Sequence, residues 1–158
     1  MITLISKTYV DGLTAREVVD FLLNATDSDY QNWWPGVHLQ FHTLCRYADD
    51  IGNVVYMDEL IGDTRIKMKA VVLEVVRDRK IVWQMKKGIR WPIWLSLQLE
   101  NDNSGVSIIH TVRAGFSGIG KVRGPLFRFY LSARFAVDLD EHVKAEFPRL
   151  RAMLNRAT

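Results

Sequence analysis

The sequence predicts an α+β fold in which a curved, seven-stranded antiparallel sheet is closed by a long C-terminal helix, with two short helices after the first strand. Three observations lead there. Short stretches of alternating apolar and polar residues recur along the first two thirds of the chain, turn-forming clusters separate them at the intervals of a meander, and the last third carries an apolar stripe at helical spacing. With 158 residues, 48% hydrophobic and 25% charged, the chain is of ordinary single-domain size, and one domain over 1–158 is expected.

The stretch "ITLISKTYV" alternates as a first strand. "LTAREVVDFLLN" follows, with Val18, Val19, Phe21, Leu22 and Leu23 at helical spacing behind Thr14 as a cap. A second helical turn through "SDYQNWW" ends at Pro35-Gly36, because the residue before a proline is pushed out of the helical region. Six further strands are expected at Leu39–Tyr47, Asn53–Ile61, Thr64–Val76, Lys80–Lys86, Trp91–Glu100 and Val106–Phe116. They are separated by "ADDIG", "GD", "RDR", "KKGI" and "NDNSG". From Pro125, placed in a first helical turn, to about Arg156, the residues Phe127, Leu131, Phe135, Leu139, Val143, Phe147, Leu150 and Leu154 form the stripe of an amphipathic helix. Pro148 is expected to kink it. A sheet of this kind must bury one face, and the helix is the element available to cover it.

Composition excludes several function classes. No apolar run is long enough for a membrane helix, and the N-terminal stretch lacks the basic start and apolar centre of a signal peptide, so a soluble, cytoplasmic protein is expected. The single cysteine, Cys45, rules out an internal disulfide and a cysteine-rich zinc module, and is expected to be a small buried side chain. A net charge of +3, spread along the chain without a basic helical stripe, gives no support for nucleic-acid binding. "GFSGIGKV" (115–122) nearly spells a phosphate-binding loop. It ends in Val122 where a magnesium-binding Ser or Thr belongs, and it lacks the strand-loop-helix crossover, so it reads as a glycine loop beside a cavity mouth.

The order of elements, the helical pair ending in "WWP", the strand break "VVRDRKIVWQM" and "GVSIIHTVRAGFSGIGKVRGP" before the last helix resemble the helix-grip fold of the START, Bet v 1 and polyketide-cyclase superfamily. The resemblance implies a deep, mostly apolar cavity between sheet and helix, holding a hydrophobic or aromatic, lipid- or polyketide-like small molecule. The walls expected for it are Trp34, Phe41, Tyr56, Met68, Trp83, Leu97, His110, Phe135 and Leu139. Alternation puts Trp83 inward and Trp94 outward, and whether Trp83 fills core or lines the cavity stays open. His110 belongs to the inward row of Val106, Ile108 and Val112, and is either a satisfied core histidine or a catalyst.

Three further positions carry candidate chemistry. On the strand after Gly36 the more apolar row is Leu39, Phe41, Thr43 and Cys45, which sends His42 outward and leaves His38 near the cavity rim. In "VVYMDELI" each face has one acid, and the slightly more apolar Val55-Met57-Glu59-Ile61 row makes Glu59 the inward one. In "DEHVKAEF", His142 and Glu146 stand one helical turn apart on one face, a pairing that can ligate a metal or simply be a solvated ion pair. Trp34-Pro35-x-x-His38, Glu59 and His142-x-x-x-Glu146 together resemble the zinc site of the diacetylphloroglucinol hydrolase family, a metal-dependent branch of the same superfamily whose "WHP" is here "WWP".

That resemblance implies His38, Glu59, His142 and Glu146 as zinc ligands, and hydrolytic cleavage of a carbon–carbon bond next to a ketone. Three functions therefore stand side by side: a carrier of a hydrophobic ligand with no cofactor; an enzyme, either the zinc hydrolase or a metal-free cyclase using His110 with Arg134; and a partner protein with a vestigial cavity. Either a monomer or a homodimer is compatible with the sequence.

Overall fold

In a computed structural model, which describes residues 1–115 and 132–156, the elements run β1 (Ile2–Asp11), α1 (Ala15–Asn24), α2 (Asp27–Trp33), β2 (His38–Cys45), β3 (Val54–Ile61), β4 (Thr64–Val76), β5 (Lys80–Lys87), β6 (Ile89–Asn101), β7 (Gly105–Ala114) and α3 (Ala133–Arg156). The seven strands form one antiparallel sheet in the order β1-β7-β6-β5-β4-β3-β2. Each strand from β2 onward pairs with its sequence neighbour, and only β1 reaches across to close on β7. The expected architecture is thus present, with no strand end displaced by more than two residues.

Both short helices open with a capping box. The Thr14 hydroxyl accepts from the Glu17 N–H and the Glu17 carboxylate accepts from the Thr14 N–H, and Thr26 with Asp29 repeats the arrangement. α2 then stops at Pro35-Gly36, where Gly36 takes φ +79°, a conformation that costs a residue without Cβ little. The described part of α3 begins later than expected. The Ser132 hydroxyl accepts from the Phe135 N–H at 3.1 Å and its carbonyl accepts from the Ala136 N–H at 3.0 Å, the arrangement of an N-cap. Pro125 and the expected turns up to Leu131 lie outside the described residues, as does the glycine loop beyond Gly115. α3 remains one helix through Pro148.

The concave face of the sheet carries Met57, Ile66, Ala70, Val72, Ile81, Trp83, Leu97, Leu99 and Ile108, and α3 lays Leu139, Val143, Phe147 and Leu150 onto it. Trp83 is buried in this core, and Trp94, opposite Gln84, is on the other row of the sheet. Cys45 is exposed, contrary to expectation. It follows a register shift at the end of β2, an edge strand, where neither face is covered.

The two acids of β3 are separated by the strand's alternation. Glu59 faces inward, while the other face of the strand offers Asp58 a partner that the core does not: Arg65 donates from Nε and a terminal guanidinium nitrogen to both Asp58 oxygens, at 2.9 and 2.8 Å. This two-pronged pair holds the phase of β3, because a one-residue slip would exchange the two carboxylates. The Arg65 hydrogen bonds keep the Asp58 carboxyl below its usual value. Its contribution to stability is therefore full above the unfolded carboxyl value and lost as pH falls through the lowered folded one. Asp58→Ala is expected to cost roughly 1.5–3 kcal/mol at neutral pH. Denaturant unfolding between pH 7 and 2 should show the gap between wild type and variant closing at the acid end; a constant gap would show that the carboxylate is not its source.

Candidate functional site

The site begins with an irregularity in β2. His38 is opposite Glu59 and Gln40 opposite Asp58, so one residue too many is accommodated between them, and the Val37 carbonyl accepts from the Leu60 N–H at 2.9 Å. Strict alternation would put positions 38 and 41 on opposite faces. The bulge turns both inward, so that Phe41 enters the core and His38 is 0% exposed. His38 is therefore not at a rim, as alternation suggested, but at the bottom of the concave face, packed between the sheet, α2 and α3. His42 points outward and contacts the Asp27 carboxylate at 2.8 Å.

Four side chains from three segments meet around His38. Its Nε2 is 3.6 Å from a Glu146 carboxylate oxygen and 4.0 Å from one of Glu59; the His142 Nε2 is 3.5 and 3.8 Å from the same two oxygens. All four residues are buried. α3 supplies His142 and Glu146 one turn apart, and its register is held by the Trp33 indole N–H, which donates to the Glu146 carbonyl at 2.6 Å. The pair is not a solvated helix pair.

The surroundings orient each member. The Tyr30 hydroxyl donates to the Glu59 carboxylate at 2.6 Å, and its ring stacks on the His38 imidazole with centroids 4.0 Å apart and planes 7° from parallel. Trp33 meets His38 edge-on at 4.6 Å. Trp34 stacks on His142 at 4.8 Å and carries the Arg149 guanidinium over its ring at 4.3 Å. Tyr30 and Trp33 are site residues that the alternation and motif patterns of the sequence do not single out. The i, i+3, i+4 spacing of Tyr30, Trp33 and Trp34 in a short helix was the available signal, since it puts three rings on one face.

The electrostatics follow from burial against pairing. Burial would raise the Glu146 carboxyl, but the facing imidazoles of His142 and His38 outweigh it and hold it below the usual carboxylate range. Burial would lower His142, and the Glu146 and Glu59 carboxylates reverse the sign and raise it. Burial and the adjacent Glu59 carboxylate push the Tyr30 hydroxyl well above its usual value, so it remains a hydrogen-bond donor. His110 lacks a close carboxylate, and burial lowers it to about 4.

The quartet suits a divalent metal on two grounds. Both ring nitrogens of His38 and the Nε2 of His142 are buried without a hydrogen-bond partner, which is costly for a polar core unless something else occupies them. The donor atoms of His38, His142 and Glu146 lie within 4.8 Å of one another. The four nitrogen–oxygen separations of 3.5–4.0 Å, from one oxygen of each carboxylate, are short enough for these side chains to converge on one divalent ion.

A cavity of about 410 Å³ opens from this site toward the β4–β6 end of the sheet. Of the expected walls, Tyr56, Met68, His110, Phe135 and Leu139 border it, together with Ile93, Leu95 and Val112. Phe41, Trp83 and Leu97 lie deeper, around a void of about 50 Å³ that also touches His142 and Glu146; Glu59, Ile61, Leu95, His110 and Leu139 are common to both spaces. Trp34 is not among the lining residues of either. The candidate catalytic pair His110 and Arg134 is not brought together: Arg134 has a side chain 76% exposed and pairs with Asp63 at 2.6 Å, because the start of α3 lies over the β3–β4 turn.

No family model and no curated protein sequence matches the chain. Similar solved structures are numerous. A START superfamily protein from Mycobacterium smegmatis superposes with a TM-score of 0.61 at 15% identity over 99% of both chains. Ara h 8.0201 superposes with 0.61 at 11% identity over 98% of both. The Aha1 dimer from Colwellia psychrerythraea gives 0.56 at 15% identity, covering 94% of this chain and 98% of that one. A sheet gripping a C-terminal helix, two short helices after the first strand and near-complete coverage at low identity define the outcome: the chain has the START/Bet v 1-like helix-grip fold.

Proposed function

We propose that the protein takes a hydrophobic or aromatic, polyketide-like small molecule into its cavity and acts on it as a metal-dependent hydrolase, with His38, Glu59, His142 and Glu146 as zinc ligands. One observation carries this reading: two buried histidines with unpartnered nitrogens face two buried carboxylates at the inner end of an apolar cavity. Zinc held there would polarise a ketone and activate water for cleavage of the neighbouring carbon–carbon bond.

The chain's own groups have defined tasks in this reading. Ile93, Leu95, Val112, Phe135 and Leu139 exclude water and take up the apolar body of the ligand. Tyr30 fixes the Glu59 carboxylate by donating to it, the role that partners behind metal ligands perform. His110, neutral at physiological pH and with its Nδ1 unpartnered, is placed between cavity and quartet, where it can exchange a hydrogen bond with a polar group of the ligand. The cyclase reading with Arg134 loses support from the surface position of that side chain. Carriage without a metal is the second reading, and the mostly apolar lining favours it.

Titration with Zn²⁺ is expected to raise the melting temperature by binding only the folded state, by the equivalent of about 2.7 kcal/mol at a hundredfold excess over Kd. His142→Ala should abolish the shift, as should the shape-conserving Glu146→Gln to a large extent, whereas His42→Ala should leave it intact. Zinc analysis of the purified variants checks the same point directly. Absence of both bound zinc and a shift in the wild type would leave only the carrier.

A pH measurement tests His110. Its folded value lies below the ordinary 6.5, so the unfolded chain binds the extra proton, and stability is lost as pH falls from about 6.5 to about 4. In metal-free protein, His110→Leu should lack that loss, and the two unfolding free energies should converge or cross as the solution is acidified through this window. A parallel course for wild type and variant would place a charged imidazole in the core.

A further inference from the structure

The β5–β6 hairpin has an apolar and cationic tip that the proposed function does not use. Lys87 and Ile89 are directly opposite each other across Gly88, whose φ of +74° forms the tight turn, and a Cβ at Gly88 would meet nothing within 4 Å, so the turn projects into open space. Ile89 is 76% exposed, more than any other large apolar side chain among the described residues. One exposed isoleucine means little by itself. Its place in β6 gives it meaning: alternation puts Ile89 on the row of Trp91, Ile93 and Leu95, which border the cavity, so an apolar row runs from the exposed tip to the interior.

The other face of the hairpin is cationic. Lys86 is directly opposite Arg90 on β6 and Lys69 on β4, so three cations form one row on the convex face of the sheet, where like charges repel. Asp58, on the same face, already holds Arg65 at 2.8 Å and Lys67 at 3.9 Å, and among the described residues no carboxylate pairs with Lys69, Lys86, Lys87 or Arg90.

We infer that the β5–β6 tip docks on an anionic lipid surface, with Ile89 entering the boundary of the acyl chains and Lys69, Lys86, Lys87 and Arg90 held against the head groups. The two features suit a bilayer in combination. Unpaired cations on the convex face gain from negative head groups, which also relieve their mutual repulsion, and the isoleucine ahead of them leaves water for the apolar layer beneath. A nucleic acid would engage the same cations, since its binding is driven by phosphate neutralisation, but it would leave Ile89 in water. Docking of the tip stands apart from the proposed function. Its consequence rests on that reading and deepens it: the cavity's ligand is of a class that partitions into membranes, and it passes from the bilayer along Ile89, Trp91 and Ile93 without crossing water.

Co-sedimentation with vesicles tests the docking. The wild type is expected to bind vesicles of equal parts phosphatidylcholine and phosphatidylglycerol at least about tenfold more tightly than pure phosphatidylcholine, a preference that high salt erases. Lys86→Gln with Arg90→Gln should weaken binding to the mixed vesicles about tenfold and Ile89→Ser about fivefold, whereas Lys7→Gln, on the edge strand β1, should leave it unchanged. All of these side chains except Lys86 are exposed, so unaltered melting temperatures are expected and confirm that each variant is folded. Failure of the wild type to bind the mixed vesicles, or equal binding by wild type and hairpin variants, would overturn the inference. Binding of duplex DNA through the same cations, with Ile89→Ser without effect on vesicles, would assign the row to nucleic acid and also overturn it. Uptake of the neutral fluorophore N-phenyl-naphthylamine by protein without vesicles reports on the cavity separately. Probe uptake without vesicle binding overturns the docking and leaves the cavity reading, and vesicle binding without probe uptake supports the docking and removes the cavity reading with the ligand route.

Discussion

Four ionisable side chains share one buried point, and much of the molecule is arranged around keeping them there. A buried charge is tolerated only when paired and oriented, since each desolvation costs several kcal/mol. His38, Glu59, His142 and Glu146 meet that condition collectively: each histidine faces both carboxylates, and each carboxylate faces both histidines. The constraint extends outward. The bulge of β2 exists where His38 must turn in, Asp58 is tied on the opposite face where Glu59 must not turn out, and α2 presents its three rings where the imidazoles need flat, apolar neighbours.

Such an arrangement is expensive for stability alone. An apolar core of the same shape would spare the unpartnered nitrogens of His38 and His142, and buried ion pairs are often replaced by hydrophobic groups without loss. The polar quartet also lies where the core ends and the cavity begins, with Glu59 and His110 bordering both. α3 covers the concave sheet from Phe135 onward and packs tightly from Leu139 to Leu150, so the void is left toward the β4–β6 end. A polar floor and apolar walls follow one another from the quartet into the cavity, a gradient that a purely structural core has no need of.

The structural likenesses add the fold and no more. At 11–15% identity, the shared feature is the way a curved sheet buries its concave face against a helix, a solution that accommodates many interiors. What distinguishes this chain is the set of side chains it directs into that interior.

By itself the sequence determined the elements and their order, because both rest on local physics: period-two and helical patterns, capping residues and turn chemistry are written within a few residues of where they act. It also put Glu59, rather than Asp58, on the concave face, and His142 and Glu146 on one side of α3, since alternation and the helical repeat are local rules. Tertiary structure decided the rest. His38 reached the floor of the site through a bulge that breaks alternation, and the bulge exists because a neighbouring strand and two helices accept the inward ring. Cys45 came out exposed and Trp34 outside the cavity because edge position and the packing of α3, not residue type, set their surroundings. Arg134 was drawn to Asp63, seventy-one residues away in sequence, and so lost any contact with His110. A pairing over such a separation leaves no periodic trace, because it depends on where the folded chain returns and not on the residues beside it.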